Sequence, residues 1–163
     1  ARYINIFGKR FRIDMKTDRI LVICQQNVGR SQMAEGFLRS CSSSRLRIVV
    51  MSAGLKKIDK MKSKYHNHPH PDVIRVMREV GVDVSRQTID KLNSTMAERA
   101  TKILVLCDKK FLPEFCSRYQ NKIIYKTIED PCRTGMDIPT LRKVRDNIKC
   151  IIEDIFCYNR EDI

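Results

Sequence analysis

The chain has 163 residues, 42% hydrophobic and 31% charged, and 32 Lys and Arg against 19 Asp and Glu give it a formal net charge of +13. That balance fits one folded domain with a sizeable core and excludes a globally disordered, collagen-like or repeat chain. No apolar run reaches the length of a bilayer span, and Ala1-Arg2-Tyr3-Ile4-Asn5 does not read as a signal peptide, so a cytoplasmic protein without a membrane partner is expected.

Residues 1–18 read as a basic appendage. Tyr3-Ile4-Asn5-Ile6-Phe7 is rich in strand formers, Gly8-Lys9 offers a turn, and Phe11 and Ile13 alternate with Arg10, Arg12 and Asp14, the pattern of a β-hairpin. A single domain is expected over 19–163. It opens on Arg19-Ile20-Leu21-Val22-Ile23, whose continuous apolar run predicts a buried parallel strand. Residues 31–44 carry Met33, Ala34, Phe37, Leu38 and Cys41 at helical spacing, with Ser31 as the expected cap. A second strand is predicted over 46–51. Residues 56–71, polar, basic and carrying His66, His68 and His70, read as a long loop.

Val73, Ile74, Val76, Met77 and Val80 predict a helix face closed by Gly81, and Ser94 is expected to cap a short helix reaching Arg99. Third and fourth buried strands are predicted over 103–106 and 123–125. Ile138, Leu141, Val144, Ile148, Ile151, Ile152 and Ile155 line one face of a long terminal helix. Strands alternating with helices predict an α/β fold, a parallel sheet covered on both faces.

Seven cysteines, an odd count, argue against a disulfide framework, so reduced thiols are expected. Neither Cys107/Cys116 nor Cys150/Cys157 has zinc-knuckle spacing, and Cys150 and Cys157 are expected on the core side of the last helix. In an extended segment His66, His68 and His70 would point the same way, but a loop without a metal role is the expectation.

In parallel sheets ligands bind at the carboxyl ends of strands, which directs attention to the turn after the first core strand. It reads Cys24-Gln25-Gln26-Asn27-Val28-Gly29-Arg30-Ser31, a Cys-x5-Arg-Ser loop between a strand and a helix. Backbone N–H groups of such a loop and of the first helical turn can converge on a phosphate-sized anion. Arg30 can clamp two of its oxygens, and the same positive environment favours a nucleophilic thiolate at Cys24. Ser31 can donate a hydrogen bond to that sulfur, and Gly29 offers the loop backbone freedom. The spacing alone is not specific, because Cys41 and Arg47 repeat it. That second match lies between a helix and a strand, which makes Cys41 a core residue.

The stretch Ile20-Leu21-Val22-Ile23-Cys24 through Arg30-Ser31-Gln32-Met33-Ala34-Glu35-Gly36 resembles the low-molecular-weight protein tyrosine phosphatase superfamily, which includes thiol-coupled arsenate reductases. The likeness continues in Ser52-Ala53-Gly54, in His70-Pro71 and the run from Val76 to Ser85, in Glu129-Asp130-Pro131, and from Arg142 to Ile148, covering about 19–156. The resemblance implies a three-layer α/β/α fold with a four-stranded parallel sheet in flavodoxin-like order. It implies Cys24 as the nucleophile that forms a phosphocysteine, Arg30 as the phosphate clamp and Asp130 as general acid and then base. Gln25, Gln26, Asn27, Val28, Gly29 and Ser31 would surround the phosphate, with Ser52 bracing Asn27. No metal and no cofactor is required.

The sequence also departs from that pattern. Gly29 stands where many relatives carry a second cysteine, and Cys132 where phosphatases of the family often place an aromatic. Cys107 resembles the second thiol of the reductase relay; the third position is Leu112 before Pro113, with Cys116 displaced from it. Cys132 could resolve an oxidised Cys24. The leading expectation is a phosphatase acting on an acidic phosphorylated protein or small phosphomonoester, with Lys56, Lys57, Lys60, Lys62 and Lys64 selecting acidic substrates. The alternatives are an arsenate reductase using Cys24, Cys107 and Cys116 with thioredoxin as partner, and a nucleic-acid-binding protein on a retired scaffold.

Overall fold

The computed structural model describes residues 2–13, 16–41, 46–133 and 136–157. Asp14, the stretch 42–45 into which the spacing extends the first helix, and residues 158–163 lie outside these. β1 (Arg2–Ile6) and β2 (Lys9–Ile13) form the expected antiparallel hairpin. Phe7 and Gly8 take positive φ, 49° and 78°, at its two-residue turn, which matches the twist of the flanking strands.

β3 (Lys16–Cys24) starts inside the stretch read as an appendage, at Lys16 rather than Arg19. Its first residues are polar, yet their backbones pair with residues 46–48, and Asp18 is buried with Lys102 Nζ 3.2 Å from its carboxylate. β3 lies between β4 (Leu46–Gly54) and β5 (Lys102–Val105), and β6 (Ile123–Tyr125) completes a parallel sheet of order β4-β3-β5-β6. Counted from the first core strand, this is the flavodoxin-like order.

Among the described residues five α-helices connect and cover the strands: α1 (Arg30–Arg39), α2 (Ile58–Lys64), α3 (Pro71–Arg78), α4 (Ser94–Arg99) and α5 (Ile138–Ile152). Successive strand residues face opposite sides. Ile20, Val22, Leu104 and Leu106 pack with Met33 and Leu38 of α1, Val76 and Met77 of α3, and Leu141 and Ile148 of α5. Leu21, Ile23, Ile103 and Val105 pack on the other side with Ala97 of α4, Cys107 and Cys116. The predicted runs are strands because both faces of the sheet are covered. None of the described helices is long and apolar enough to cross a membrane.

Several local expectations are corrected. Gly29, not Ser31, occupies the N-cap of α1 and, lacking a side chain, makes no side-chain cap; the Ser31 hydroxyl is instead engaged with Cys24. The expected loop over 56–71 contains α2, whose Ile58 and Met61 are buried with Val28 and Ile89; the polar residues around this i, i+3 pair hid it. Asn93, not Ser94, caps α4, accepting from the Met96 N–H at 2.9 Å. Gly81, at φ 77°, closes α3 as expected. Cys150 is exposed, lying two residues from both Ile148 and Ile152 and therefore on the opposite face. Beyond Ile152 the chain continues as a π-helical turn, Glu153–Cys157, and Cys157 is disulfide-bonded to Cys41, so these two are not reduced thiols.

Glu79, just past α3, ties α3 to α5. Arg142 donates to both of its carboxylate oxygens, from Nε at 2.9 Å and Nη2 at 2.8 Å, and Arg145 Nη1 donates to Oε2 at 2.9 Å. The Arg142 hydrogen bonds, reinforced by Arg145, hold the Glu79 carboxyl down to about 2 from its ordinary 4.5. A pKa lowered by folding stabilises the fold above the unfolded value, and that contribution is lost as pH falls through the folded value. Glu79→Gln is expected to lower the thermal midpoint at neutral pH, and its deficit should shrink as pH falls from 4.5 towards 2. Thermal unfolding followed by circular dichroism across that range checks it.

Candidate active site

Cys24 ends β3 and Arg30 begins α1, so the residues between them curve round the carboxyl end of an interior strand. The scaffold holds this loop by its carbonyls. Gln25 O accepts from the Leu55 and Lys56 N–H groups at 2.7 and 2.8 Å, and Val28 O and Gly29 O accept from His70 and Met33 at 3.0 Å each. Asn27 O accepts from Gln32 Nε2 at 2.8 Å. Among the described residues no acceptor meets the N–H groups of Gln26, Val28, Gly29 and Arg30, the last at a helix N-terminus. Such a set of donors suits a tetrahedral oxyanion.

The left-handed position of the loop is Asn27, at φ 57°, and not Gly29, where a Cβ would meet only Val73 at 3.8 Å. The glycine on which the loop depends is Gly54, at the end of β4. A Cβ there would sit 2.6 Å from Ile58 Cδ1, 2.9 Å from the Gln26 carbonyl carbon and 3.0 Å from Asn27 Cβ.

A buried hydrogen-bond chain runs behind the loop. The Asp90 N–H donates to Asn27 Oδ1 at 2.8 Å, which fixes the amide and leaves Nδ2 to donate to Ser31 Oγ at 2.7 Å and Ser52 Oγ at 2.9 Å. Ser52 passes its own hydrogen to Glu35 Oε2 at 3.2 Å. Because Ser31 Oγ accepts from Asn27, its hydrogen is free for Cys24 Sγ, 2.9 Å away. The Asn27 N–H also reaches Cys24 Sγ, at 3.3 Å. Two donors thus converge on the sulfur, an arrangement suited to an anionic nucleophile.

Glu35 is buried, and desolvation raises its pKa against the opposing pull of Arg39, 2.8 Å away. Behind Asn27, Gln87 Nε2 donates to Gln32 Oε1 at 2.9 Å, and Gln32 Nε2 donates to Thr88 O at 2.8 Å. The sequence reading did not assign Gln32, Glu35, Gln87 or Asp90. A usable signal existed for the first two, which are polar residues in the core-facing first turns of α1. Asp90 contributes a backbone N–H, which no residue type announces.

Arg30 is only 6% exposed; its Nη1 donates to Ile128 O at 2.7 Å, and its Nη2 lies 3.7 Å from Asp130 Oδ2. These contacts bring the segment after β6 over the loop. Cys24, Arg30 and Asp130 line one cleft with Gln26, Asn27, Val28, Gly29, Pro131, Cys132 and Met136. Gln25 and Ser31 do not line it: Gln25 is held by the segment after β4, and Ser31 is buried behind the sulfur. Ser52 stands at Asn27, away from the cleft.

Cys132 is exposed at the rim, its N–H donating to Asp130 Oδ1 at 3.0 Å. Cys107 and Cys116 are buried on the α4 side of the sheet. Burial, and then the neighbouring Cys24, push the Cys107 thiol up to about 11; burial also raises Cys116. The three histidines do not gather. His68 Nδ1 lies 2.9 Å from Gln87 O, His70 Nδ1 accepts from the Asp72 N–H at 3.1 Å, and no cluster of potential metal ligands occurs among the described residues. Gly54→Ala is expected to displace Gln26 and Asn27 and to weaken binding of inorganic phosphate about tenfold or more, a loss of ~1.4 kcal/mol. Calorimetric titration of both proteins checks this.

Known proteins share both the sequence and the fold. The family described as low molecular weight phosphotyrosine protein phosphatase matches residues 19–160. The glutaredoxin arsenate reductase of Synechocystis sp. is 30% identical over 139 residues, covering 84% of this chain and 95% of its own length. Among solved structures, an arsenate reductase in the phosphate binding state superposes with a TM-score of 0.67 at 29% identity, covering 86% of this chain and 98% of that one. The tyrosine phosphatase Wzb from Escherichia coli, in complex with sulphate, gives 0.65 at 25% identity, over 84% of this chain and 94% of that one. With its anion loop at the end of β3 and a family match over most of its length, the chain belongs to the low molecular weight phosphotyrosine protein phosphatase family, as an enzyme of that type.

Proposed function

We propose that the protein is a cysteine-dependent phosphomonoesterase that acts on acidic phosphorylated proteins or small aryl phosphates through a phosphocysteine. The observation that carries this reading is Asp130, which shares the cleft with Cys24 and lies 3.7 Å from the Arg30 guanidinium. Nucleophile, clamp and acid are then within reach of one phosphoryl group. Cys24 Sγ attacks phosphorus while the loop N–H groups and Arg30 hold the equatorial oxygens, supplying the positive charge that the transfer requires. Asp130 protonates the departing oxygen. In the second half its carboxylate takes a proton from the water that attacks the phosphocysteine, and the Ser31 hydroxyl hydrogen-bonds the leaving sulfur.

The basic segment around α2 supports acidic substrates, since Lys56 is hydrogen-bonded through its N–H to the loop residue Gln25. A second reading, a thioredoxin-coupled arsenate reductase, is favoured by relatives named as arsenate reductases, one of them a glutaredoxin arsenate reductase, and by Cys107, which follows β5 and interacts electrostatically with Cys24. It shares the attack on a tetrahedral oxyanion but then needs a second thiolate, and Cys107 is a buried thiol with a pKa of about 11. Nucleic-acid binding has only the net charge in its favour.

Hydrolysis of an aryl phosphate in excess EDTA, from about pH 4 to 8, tests the proposal. Cys24→Ser should abolish turnover, and Asp130→Asn should lower kcat by about 10²–10³-fold, most for poor leaving groups. If freshly reduced protein does not hydrolyse the ester but turns over arsenate with thioredoxin, and Cys107→Ser removes that activity, the reductase reading replaces it.

A further inference from the structure

We propose that Cys132 is the resolving thiol of the cleft, closing a disulfide with Cys24 after a peroxide has oxidised the Cys24 sulfur. The inference rests on Cys24 being the cleft nucleophile. None of the other cysteines lines the cleft, although buried Cys107 lies near enough to Cys24 to interact with it electrostatically. Cys41 and Cys157 are bonded to each other, Cys150 is exposed on α5 on the face turned away from the core, and Cys107 and Cys116 are buried on the α4 side of the sheet. Cys132 alone among them lines the cleft that holds Cys24.

Its setting also divides the two roles. Cys24 Sγ receives the Asn27 N–H and lies 2.9 Å from the Ser31 hydroxyl, the surroundings of a thiolate that reduces a peroxide. The enclosing cleft wall, and then the Asp130 carboxylate that accepts the hydrogen bond of the Cys132 thiol, push Cys132 up and keep it protonated at rest. Cys132 therefore does not compete for the oxidant. It acts second.

The chemistry balances in two steps. The Cys24 thiolate attacks one peroxide oxygen, the O–O bond breaks, and the sulfur becomes a sulfenic acid, oxidised by two electrons, while the other oxygen leaves as alkoxide or hydroxide and takes a proton from solvent to become the alcohol or water. The Cys132 sulfur then attacks the sulfenic sulfur as Asp130 receives the thiol proton. An S–S bond forms, the S–O bond breaks, and hydroxide departs with that proton as water. Cys132 sits in the short turn Pro131–Arg133, held by its own N–H to Asp130, and the bond forms when the two Cα atoms come within disulfide range across the cleft they both line. The product masks the nucleophile but spares it from irreversible oxidation.

The test treats reduced, desalted protein with hydrogen peroxide near stoichiometry, blocks remaining thiols with iodoacetamide and maps peptides by mass spectrometry without reduction. A peptide linking Cys24 to Cys132 is expected, with aryl phosphate hydrolysis returning after dithiothreitol. Cys132→Ser, normalised to its own activity before oxidation, should regain less than about a tenth and carry sulfinic or sulfonic acid at Cys24. A Cys24–Cys107 peptide, a wild-type Cys24 that passes to the sulfinic acid without any link, or full recovery of Cys132→Ser would overturn the proposal. Peptide mapping of the unmodified protein decides even if the variant does not fold. Because the mapping needs no turnover, a Cys24–Cys132 link in a protein that hydrolyses no ester would refute the proposed activity and leave this inference standing.

Discussion

The site depends on how one buried amide, that of Asn27, distributes its hydrogen bonds. Its carbonyl oxygen is fixed by the Asp90 N–H, so its two N–H hydrogens go to Ser31 and Ser52, and both hydroxyls must send their own hydrogens elsewhere. One goes to the nucleophilic sulfur, the other to Glu35. The polarity of the chain is thus set at a backbone group far from Cys24 in sequence. In a buried network, leaving any donor or acceptor unmatched costs about 1–3 kcal/mol, so the arrangement is strongly preferred over its flipped alternative. The left-handed φ of Asn27 is tolerated because its side chain is anchored on both sides.

Around that amide the fold supplies position. β3 has neighbours on both edges, and its carboxyl end lies against Gly54 of β4 on one side and the segment after β5 on the other. Arg30 extends the arrangement to the fourth strand, since Ile128 O and Asp130 both follow β6. Cys24, Arg30 and Asp130 are carried by segments that leave the same, carboxyl, edge of one sheet, after β3 and after β6. This is how residues more than a hundred positions apart come to share a cleft.

What could be read from the sequence follows from what each residue contributes. The runs after Arg19 and Lys102 announce themselves because they are continuous, apolar and covered on both faces, and those of the edge strands after Leu46 and Lys122 because they too are apolar, although Val49, Met51 and Tyr125 stay exposed. Cys24, Asn27, Arg30 and Asp130 were legible through motif and resemblance, and the structure gathers them. Hidden from the sequence were features whose physics is not in the side-chain pattern. Lys16 and Thr17 are strand residues by backbone pairing, and Asp90 acts through its N–H. Asn93 and Ser94 are adjacent equally good caps, between which only the dihedrals choose. Cys157 packs against the core as its spacing suggested, but its bond to Cys41, 116 residues away, is announced by no local pattern.

Phosphatase and reductase chemistry share the first half-reaction and diverge on what attacks next. Resolving a phosphocysteine takes a water and a carboxylate poised to accept its proton; Asp130 is in the cleft, in contact with Arg30. Resolving an arsenic adduct takes a second thiolate. At neutral pH a thiol raised to about 11 supplies that form only at the level of ~10⁻⁴, so Cys107 would first have to leave the packing on the α4 side of the sheet. Such exposure would dismantle contacts that also hold Leu21, Ile23 and Val105, the residues that fix the end of β3 on which Cys24 sits. On the proposed reading, water is therefore the second nucleophile that meets the least resistance. On the hydrolytic reading proposed above, it is what surrounds the thiols, rather than the shared loop itself, that favours water over Cys107.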